Sequence, residues 1–280
     1  MKKYHLVLLA FLPLFLIAQP VKTLKKNMEL KMPVKTYTSQ NTGEDSFPGK
    51  RGAAVVWHPL QKKYYAAFAG NETFPFSVFD ISGKRISADD QSCLVDTRGL
   101  WYDPVSEKIC GNGYSDIGWF YYNLDSKGIP ASTTIIAGGL IQPDVQSIGV
   151  YNAKSKLVCF LYGPQIYTYN TDGILEDDSA TRLYPGISIK ENIELANLKD
   201  DLDEKYNWNA LIYTGIPKAE FGLLNTDEKQ IELYNRKTGL LTMILKLPDD
   251  AETYTAFNFS YANGFYWLFN QDTRTWSGYK

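Results

Sequence analysis

Residues 64–83, YYAAFAGNETFPFSVFDISG, hold an apolar run that ends in Gly-Asn, a short loop, and a second apolar run that ends Phe-Asp and turns through Gly. The same unit returns at 109–128, 157–173, 221–239 and 266–280. Four copies place an aromatic before Asp or Asn and then reach Gly: Phe79-Asp80, Tyr122-Asn123, Tyr169-Asn170 and Tyr234-Asn235. Asp and Asn bond nearby backbone groups in turns, and Gly supplies a positive φ. A second element precedes each copy. It reads AVVWHP, LWYDP and IGVYNA in the first three units, with ALIYTG and FNFSYAN as the equivalents in the last two. Trp57-His58-Pro59, Tyr102-Asp103-Pro104 and Tyr151-Asn152-Ala153 align as a strand end followed by a turn. The units start about 45 residues apart, with one gap of about 64 before Phe221. Several strands repeated at such a period specify a β-propeller, because each unit buries its sheet faces only against its neighbours. The expected fold is all-β, a propeller of five blades. A sixth, divergent blade near residues 178–206 is the alternative.

The ends and the long gap refine this plan. Residues 1–18 read as a secretory signal: Lys2 and Lys3, an apolar run over 6–17, and a cleavage site at Ile17-Ala18-Gln19. The run contains Pro13 and is shorter than the roughly 20 residues of a spanning helix. An uncleaved anchor is the alternative. The chain is therefore expected to be exported, periplasmic or extracellular, and the sequence holds no later run fit to span a membrane. Residues 19–28 read as a linker and 29–280 as one propeller domain, with 190–206 as an inter-blade insertion. Leu30, Met32 and Val34 alternate as in a strand. The last repeat stops at Lys280 before any fourth strand, so the N-terminal strand is expected to complete the last blade and close the ring. In the first unit the outer strand falls at 85–87 or 93–95; in the third it falls at 181–189. Within the insertion, Ile193, Leu195, Leu198 and Leu202 give a weak helical face.

A formal charge of −2 gives no electrostatic reason to expect nucleic acid or a membrane surface as partner. Cys93, Cys110 and Cys159 lie in apolar runs without CxxC spacing and read as buried free thiols, a single bridge being the alternative. Cys110 and Cys159 fall one position apart in the repeat alignment, which predicts opposite strand faces.

The pieces VVWHPLQKKYYAAFAGN, LWYDPVSEKICGN and IELYNRKTG resemble NHL-type and YncE-like propeller repeats, over about residues 53–280. The resemblance is one of architecture. It implies that ligands bind on the face shared by the second-to-third strand loops and the starts of the innermost strands. That class holds binding proteins, scaffolds, lyases, lactonases and glycosidases, so function has to come from the site.

On that face the repeat places Asn71, Glu72, Asn112, Tyr114, Asp116, Tyr162, Asn225, Asp227, Asn270 and Asp272. Two readings are open for the recurrent Asn: a cap bonded to loop backbone, or a ring of amides and carboxylates aimed at a sugar or a cation. Arg51 and Arg98 both enter innermost strands. Two guanidiniums at a channel mouth suit a carboxylate, sulfate or phosphate, with surface or inter-blade ion pairing as the alternative. His5 lies in the signal, so His58 is the only histidine beyond it, and its alignment with Asp103 makes it a turn residue. That excludes a histidine-cluster metal site and a Ser-His-Asp triad on any other His. Glycosidase chemistry needs two carboxyls about 5–10 Å apart, and Glu72, Asp116, Asp227 and Asp272 are the candidates. A lactonase-like divalent metal would draw Glu, Asn and Asp from different blades. No catalytic residue, metal ligand or cofactor is assigned. Phe74, Tyr114, Trp119 and Trp208 either stack on sugar rings or pack between blades, the latter favoured for both tryptophans.

The sequence thus predicts an exported, monomeric, non-enzymatic propeller that binds a protein or carbohydrate ligand. The alternatives are a carbohydrate- or lactone-acting hydrolase using carboxylates, with or without a divalent metal, and a structural envelope protein.

Overall fold

The computed structural model describes residues 20–33, 51–70, 76–88, 95–176, 181–188 and 201–280. Their strands form five sheets. Blade one holds β3 (Arg51–His58), β4 (Lys63–Ala69) and β5 (Ser77–Phe79). Blade two holds β6 (Thr97–Asp103), β7 (Lys108–Gly113), β8 (Trp119–Leu124) and β9 (Pro130–Ala137). Blade three holds β10 (Val150–Asn152), β11 (Leu157–Tyr162), β12 (Gln165–Tyr169) and β13 (Thr181–Arg182). Blade four holds β15 (Ile212–Tyr213), β16 (Phe221–Asn225), β17 (Gln230–Tyr234) and β18 (Leu240–Lys246). Blade five holds β19 (Phe259–Ala262), β20 (Phe265–Asn270), β21 (Thr275–Tyr279) and, paired antiparallel along β21, β2 (Lys26–Lys31). The inner strands β3, β6, β10, β15 and β19 succeed one another around a single axis, with β19 packed back against β3. This is a five-bladed propeller.

The repeat sequence explains the packing. Period-2 strands rich in Tyr, Phe, Trp and aliphatic residues bury both faces between neighbouring blades. Trp267, Phe269 and Trp276 of blade five meet Tyr64 and Phe68 of blade one, with ring centroids of Tyr64 and Trp267 5.3 Å apart. Trp119 of blade two packs on Phe160 of blade three at 5.6 Å. Each such fully buried side chain contributes roughly 3 kcal/mol of transfer free energy.

The recurrent Asp/Asn does the local work expected of it. Asp80 Oδ1 accepts from the N–H groups of Ser82 and Lys84 at 2.9 and 3.0 Å, Asn170 Oδ1 from Asp172 and Ile174, both at 3.0 Å, and Asn235 Oδ1 from Lys237 and Thr238 at 2.8 and 3.2 Å. In blade two the turn belongs to Asp125, which accepts from Lys127 and Ile129, both at 2.8 Å, and not to Asn123. Strand β8 runs two residues further there, and Asn123 sits inside it opposite Ser132. The glycine ending the turn has a second role. An added Cβ on Gly83 would lie 2.5 Å from Glu29 O, and one on Gly239 would collide with Arg182 O. These turns seat directly on the preceding blade.

Three expectations are corrected. Part of the stretch read as linker is strand: β1 (Val21–Thr23) pairs parallel with β18 of blade four, and β2 begins at Lys26. The supposed single outer strand over 181–189 divides. Thr181–Arg182 stays with blade three, while β14 (Tyr184–Ser188) crosses to blade four and pairs parallel with β18. The two thiols share one register instead of facing oppositely. Cys110 pairs with Trp101 and Cys159 with Val150, each one residue before the aligned Tyr102 and Tyr151. Both are free and buried, and both face the following blade. In blade one, Ile86 and Ser87 N–H groups reach Val78 O, so the outer edge follows the 85–87 alternative. Residues 1–18, Cys93 and the helical pattern at Ile193, Leu195 and Leu198 lie outside the described residues.

Candidate functional site

Because the inner strands run in one sense, the axis has two unlike ends. The lower end gathers the turns between first and second strands. Its aromatics recur at one register: Trp57, Tyr102, Tyr151, Tyr213 and Tyr261, all half-buried around a cavity of about 270 Å³ that all five inner strands line. These rings engage their neighbours sideways. Tyr102 packs on His58 at 4.8 Å, Trp57 on Tyr64 at 4.6 Å and Tyr261 on Tyr266 at 5.0 Å. Asp103 and Asn152 hold their turns through the N–H groups of Val105 and Lys154, at 2.9 and 3.1 Å. His58 does the same, its Nδ1 accepting from Gln61 N–H at 3.4 Å. It is a turn residue, and burial pulls its pKa down while the neighbouring Glu107 opposes.

The upper end gathers the starts of the inner strands. There the blades are laced by side-chain hydrogen bonds that follow no repeat. Asp96 Oδ1 accepts from Gly70 N–H at 2.8 Å, joining blades one and two. Asn112 Nδ2 donates to Ser147 O at 2.9 Å and its Oδ1 accepts from Gly149 N–H at 3.1 Å, joining two and three. Asn209 Nδ2 donates to Gln146 O at 3.0 Å, and its Oδ1 accepts from Phe257 N–H at 2.8 Å, joining three, four and five. Asn207 Nδ2 donates to Tyr254 O and Phe257 O, both at 2.8 Å. Asn258 Oδ1 accepts from Gly52 N–H at 2.7 Å, which returns the belt to blade one. Every side chain in this belt is buried.

Arg98 and Arg51 stand inside the belt. Arg98 is 3% exposed. Its Nη1 pairs with Asp96 Oδ1, and its Nε donates to Gln146 Oε1 at 2.8 Å. Its guanidinium lies 4.5 Å from the Tyr114 ring centroid and 5.7 Å from that of Phe257. Arg51, half-buried at the start of β3, approaches the same Phe257 ring at 5.5 Å. Burial lowers the Arg98 pKa; Asp96 opposes that shift and the like charge of Arg51 adds to it. Phe257 and Asn258 both adopt left-handed backbone, φ 54° and 59°. Such strain in non-glycine residues persists only where surroundings over-determine it, and here Asn207, Asn209 and Gly52 fix both.

The remaining candidates separate cleanly. Asn225 Oδ1 accepts from Glu228 N–H at 3.1 Å and Asn270 Oδ1 from Thr273 N–H at 2.7 Å, so both cap their own loops. Asn112 is a clamp between blades. Asp116 and Asp227 are exposed on loops of blades two and four, and Asp272 is exposed in a turn of blade five. Tyr114 and Tyr162 are exposed at 38% and 53%. Trp208, expected in the core, is 44% exposed, whereas Trp119 is fully buried. Asn71, Glu72 and Phe74 lie outside the described residues. Sequence reasoning missed Asp96, Gln146, Asn207, Asn209, Phe257 and Asn258. The available signal was polar residues immediately before an apolar inner strand, Asn207-Trp208-Asn209 before ALIYTG.

It also missed a buried carboxylate. Glu232 on β17 is 2% exposed. Its Oε1 accepts from Asn225 Nδ2 at 3.1 Å and Gln230 Nε2 at 2.7 Å. Its Oε2 accepts from Tyr206 Oη at 3.0 Å, Gly186 N–H at 3.2 Å, and Tyr234 Oη. Burial, with Glu232 beside them, pushes both tyrosine pKa values upward. The cluster ties β14 and the end of the insertion to blade four. Among the described residues no group of three or more His, Cys, Asp or Glu side chains is placed to hold a metal ion, and no helix is long and apolar enough to cross a membrane.

No protein-family model matches the chain, and no curated protein matches it. Among solved structures, the fold is similar to glutaminyl cyclase from Myxococcus xanthus, with TM-score 0.54, 9% identity, and coverage of 94% of this chain and 97% of that one. A gluconolactonase from Xanthomonas campestris overlaps with TM-score 0.42, 11% identity, and coverage of 91% and 88%. At these identities the likeness to the glutaminyl cyclase is one of fold alone.

Proposed function

We propose that the chain is an exported propeller that binds an anionic group of a carbohydrate or protein ligand at its upper face, without turning it over. The observation that carries this reading is the convergence of Arg51 and Arg98, from adjacent inner strands, on one Phe257 ring. Asp96 and Gln146 hold Arg98 in a fixed orientation, so little side-chain entropy is lost when an anion docks beside it. Tyr114 and Trp208, exposed on the same face, offer flat apolar surface next to the charge. The hydrolase reading draws on Asp116 and Asp227, which sit exposed on loops of different blades.

The test is calorimetric titration of the chain from residue 20 with a hexuronate oligosaccharide, a sulfated glycan, an acidic peptide and a neutral oligosaccharide. Anionic probes are expected to bind, and Arg51→Gln, confirmed as folded by circular dichroism, to weaken binding about tenfold or more, the loss of one charge-assisted contact. Equal binding of the neutral probe, or an Arg51→Gln protein that binds as before, would sink the proposal. Release of product from any probe, abolished by Asp116→Asn or Asp227→Asn, would replace it with the hydrolase reading.

A further inference from the structure

We infer that the lower end of the axis is a second binding site, which takes a small neutral aromatic molecule. The cavity there is a blind cup. Above it the axis is shut by Arg98 and Phe257, 3% and 2% exposed, whose guanidinium and ring meet at 5.7 Å. They belong to blades two and five, which do not adjoin, so this contact spans the axis itself. Below, Pro59, Ala153 and Asn263 stand exposed at the mouth. The volume of about 270 Å³ exceeds the roughly 150 Å³ that holds benzene in an apolar protein cavity. The site is separate from the Arg51 and Arg98 face and stands whether or not an anion binds there.

The wall sets the chemistry of the ligand. No Lys, Arg, His, Asp or Glu lines the cup. An ion of either sign entering it loses hydration and meets no counter-charge. Val56, Leu100, Ile148 and Ile212 supply aliphatic wall. Ser260 Oγ is engaged by the N–H and C=O of Val55 at 3.1 and 3.0 Å, and Asn263 Nδ2 by Tyr64 Oη at 2.7 Å. Water in the cup thus has few side-chain partners, and an apolar ring that displaces it gains affinity. The five rim aromatics pack sideways on their neighbours, and the rest of each ring faces the cup from every blade, where a flat aromatic guest can meet it. Each inner strand is also the terminal strand of its sheet, so one of its edges borders the axis and adds main-chain N–H and C=O groups. An aromatic ring that carries one polar group matches this mixture, and indole is such a molecule.

Methyl NMR of the chain from residue 20, which spans every described residue, reads this out on titration with indole. The methyl signals of Val56, Ile148 and Ile212 are expected to shift together to saturation, with a dissociation constant of about 1 mM or tighter. A hexose and tetramethylammonium are expected to leave them in place. Ala54→Leu, at a buried position that lines the cup, fills part of it and is expected to weaken indole binding about tenfold or more. Circular dichroism confirms that the variant is folded, and Ala153→Trp, at the exposed mouth, replaces it if it is not. Signals that stay in place with indole overturn the inference. So does a hexose or tetramethylammonium that shifts them as far as indole does, and so does indole binding that the folded variant leaves unchanged.

Discussion

The two ends of the propeller axis are built from the same five strands, yet by opposite means. At the lower end the first three blades repeat one plan: an aromatic closing the inner strand, then a self-contained turn in which His58, Asp103 or Asn152 bonds its own backbone. Blade five departs from it, Asn263 Nδ2 donating to Tyr64 Oη of blade one at 2.7 Å. At the upper end nothing repeats. Asp96, Asn112, Asn209 and Asn258 each bond the backbone of a different blade, with different donors and acceptors. In these three blades the turn bonds are local, so losing one of them weakens mainly its own blade. The upper end is a chain of long-range links, so losing one link frees two blades. The lesson is that the repeating half of a propeller carries its architecture, and the half that escapes the repeat is free to hold a charge pair such as Arg51 and Arg98.

The sharpest way to break this comparison is Asn209→Ala. It strips Phe257 N–H and Gln146 C=O of their partners at once. Leaving two buried groups unpaired costs about 3 kcal/mol, a melting temperature lower by roughly 6 °C for a chain of this size. Thermal denaturation followed by circular dichroism reads it. Asp125→Ala is the matched change in the repeating, self-contained turns. It removes two bonds to the exposed backbone of its own turn, where water replaces the lost partner, and about 1 kcal/mol is expected. Should the two substitutions prove equal, the distinction between local and long-range lacing fails.

The smallest effect sharpens the comparison within the lower end itself. His58 stands where blade two has Asp103. Its folded pKa is lowered by burial, so the unfolded chain takes up the proton first as pH falls below the ordinary histidine value of about 6.5. Its contribution to stability is whole above that value and is lost as pH falls toward the folded pKa. The wild-type melting temperature is expected to decline between about pH 7 and 5 more steeply than that of His58→Asp, which keeps an acceptor for Gln61 N–H. Parallel slopes for the two proteins would show that His58 takes up its proton over the same pH range folded and unfolded.

The lower end was legible in sequence because its chemistry is local and periodic. Phe79-Asp80, Tyr169-Asn170 and Trp57-His58 announce a strand end and a turn without reference to the rest of the chain. The miss at Asn123, where the turn moved to Asp125, came from a two-residue change in strand length, which spacing alone does not register. The upper end was half legible. Arg51 and Arg98 could be found because both sit at strand starts, and the structure brings them to one ring. The recurrent Asn pointed to the right loops, but Asn225 and Asn270 turned out to serve their own backbones. What no pattern shows is a bond such as Asn258 to Gly52, whose members are 206 residues apart and meet only when the ring is complete.

The shared register of Cys110 and Cys159 has a consequence for how the chain would meet an oxidant. Val158 belongs to the same packed cluster as Cys110, and Cys159, its neighbour on β11, belongs to the next one. One full sheet therefore stands between the thiols, and burial pushes the pKa of each up to about 12. In the finished ring neither thiol is nucleophilic, and neither can reach the other. Their only exposure to oxidant falls in the interval before blades two, three and four have stacked. The fold thus sets a race between blade assembly and thiol oxidation, and a chain that stacks these three blades first wins it without help from a disulfide.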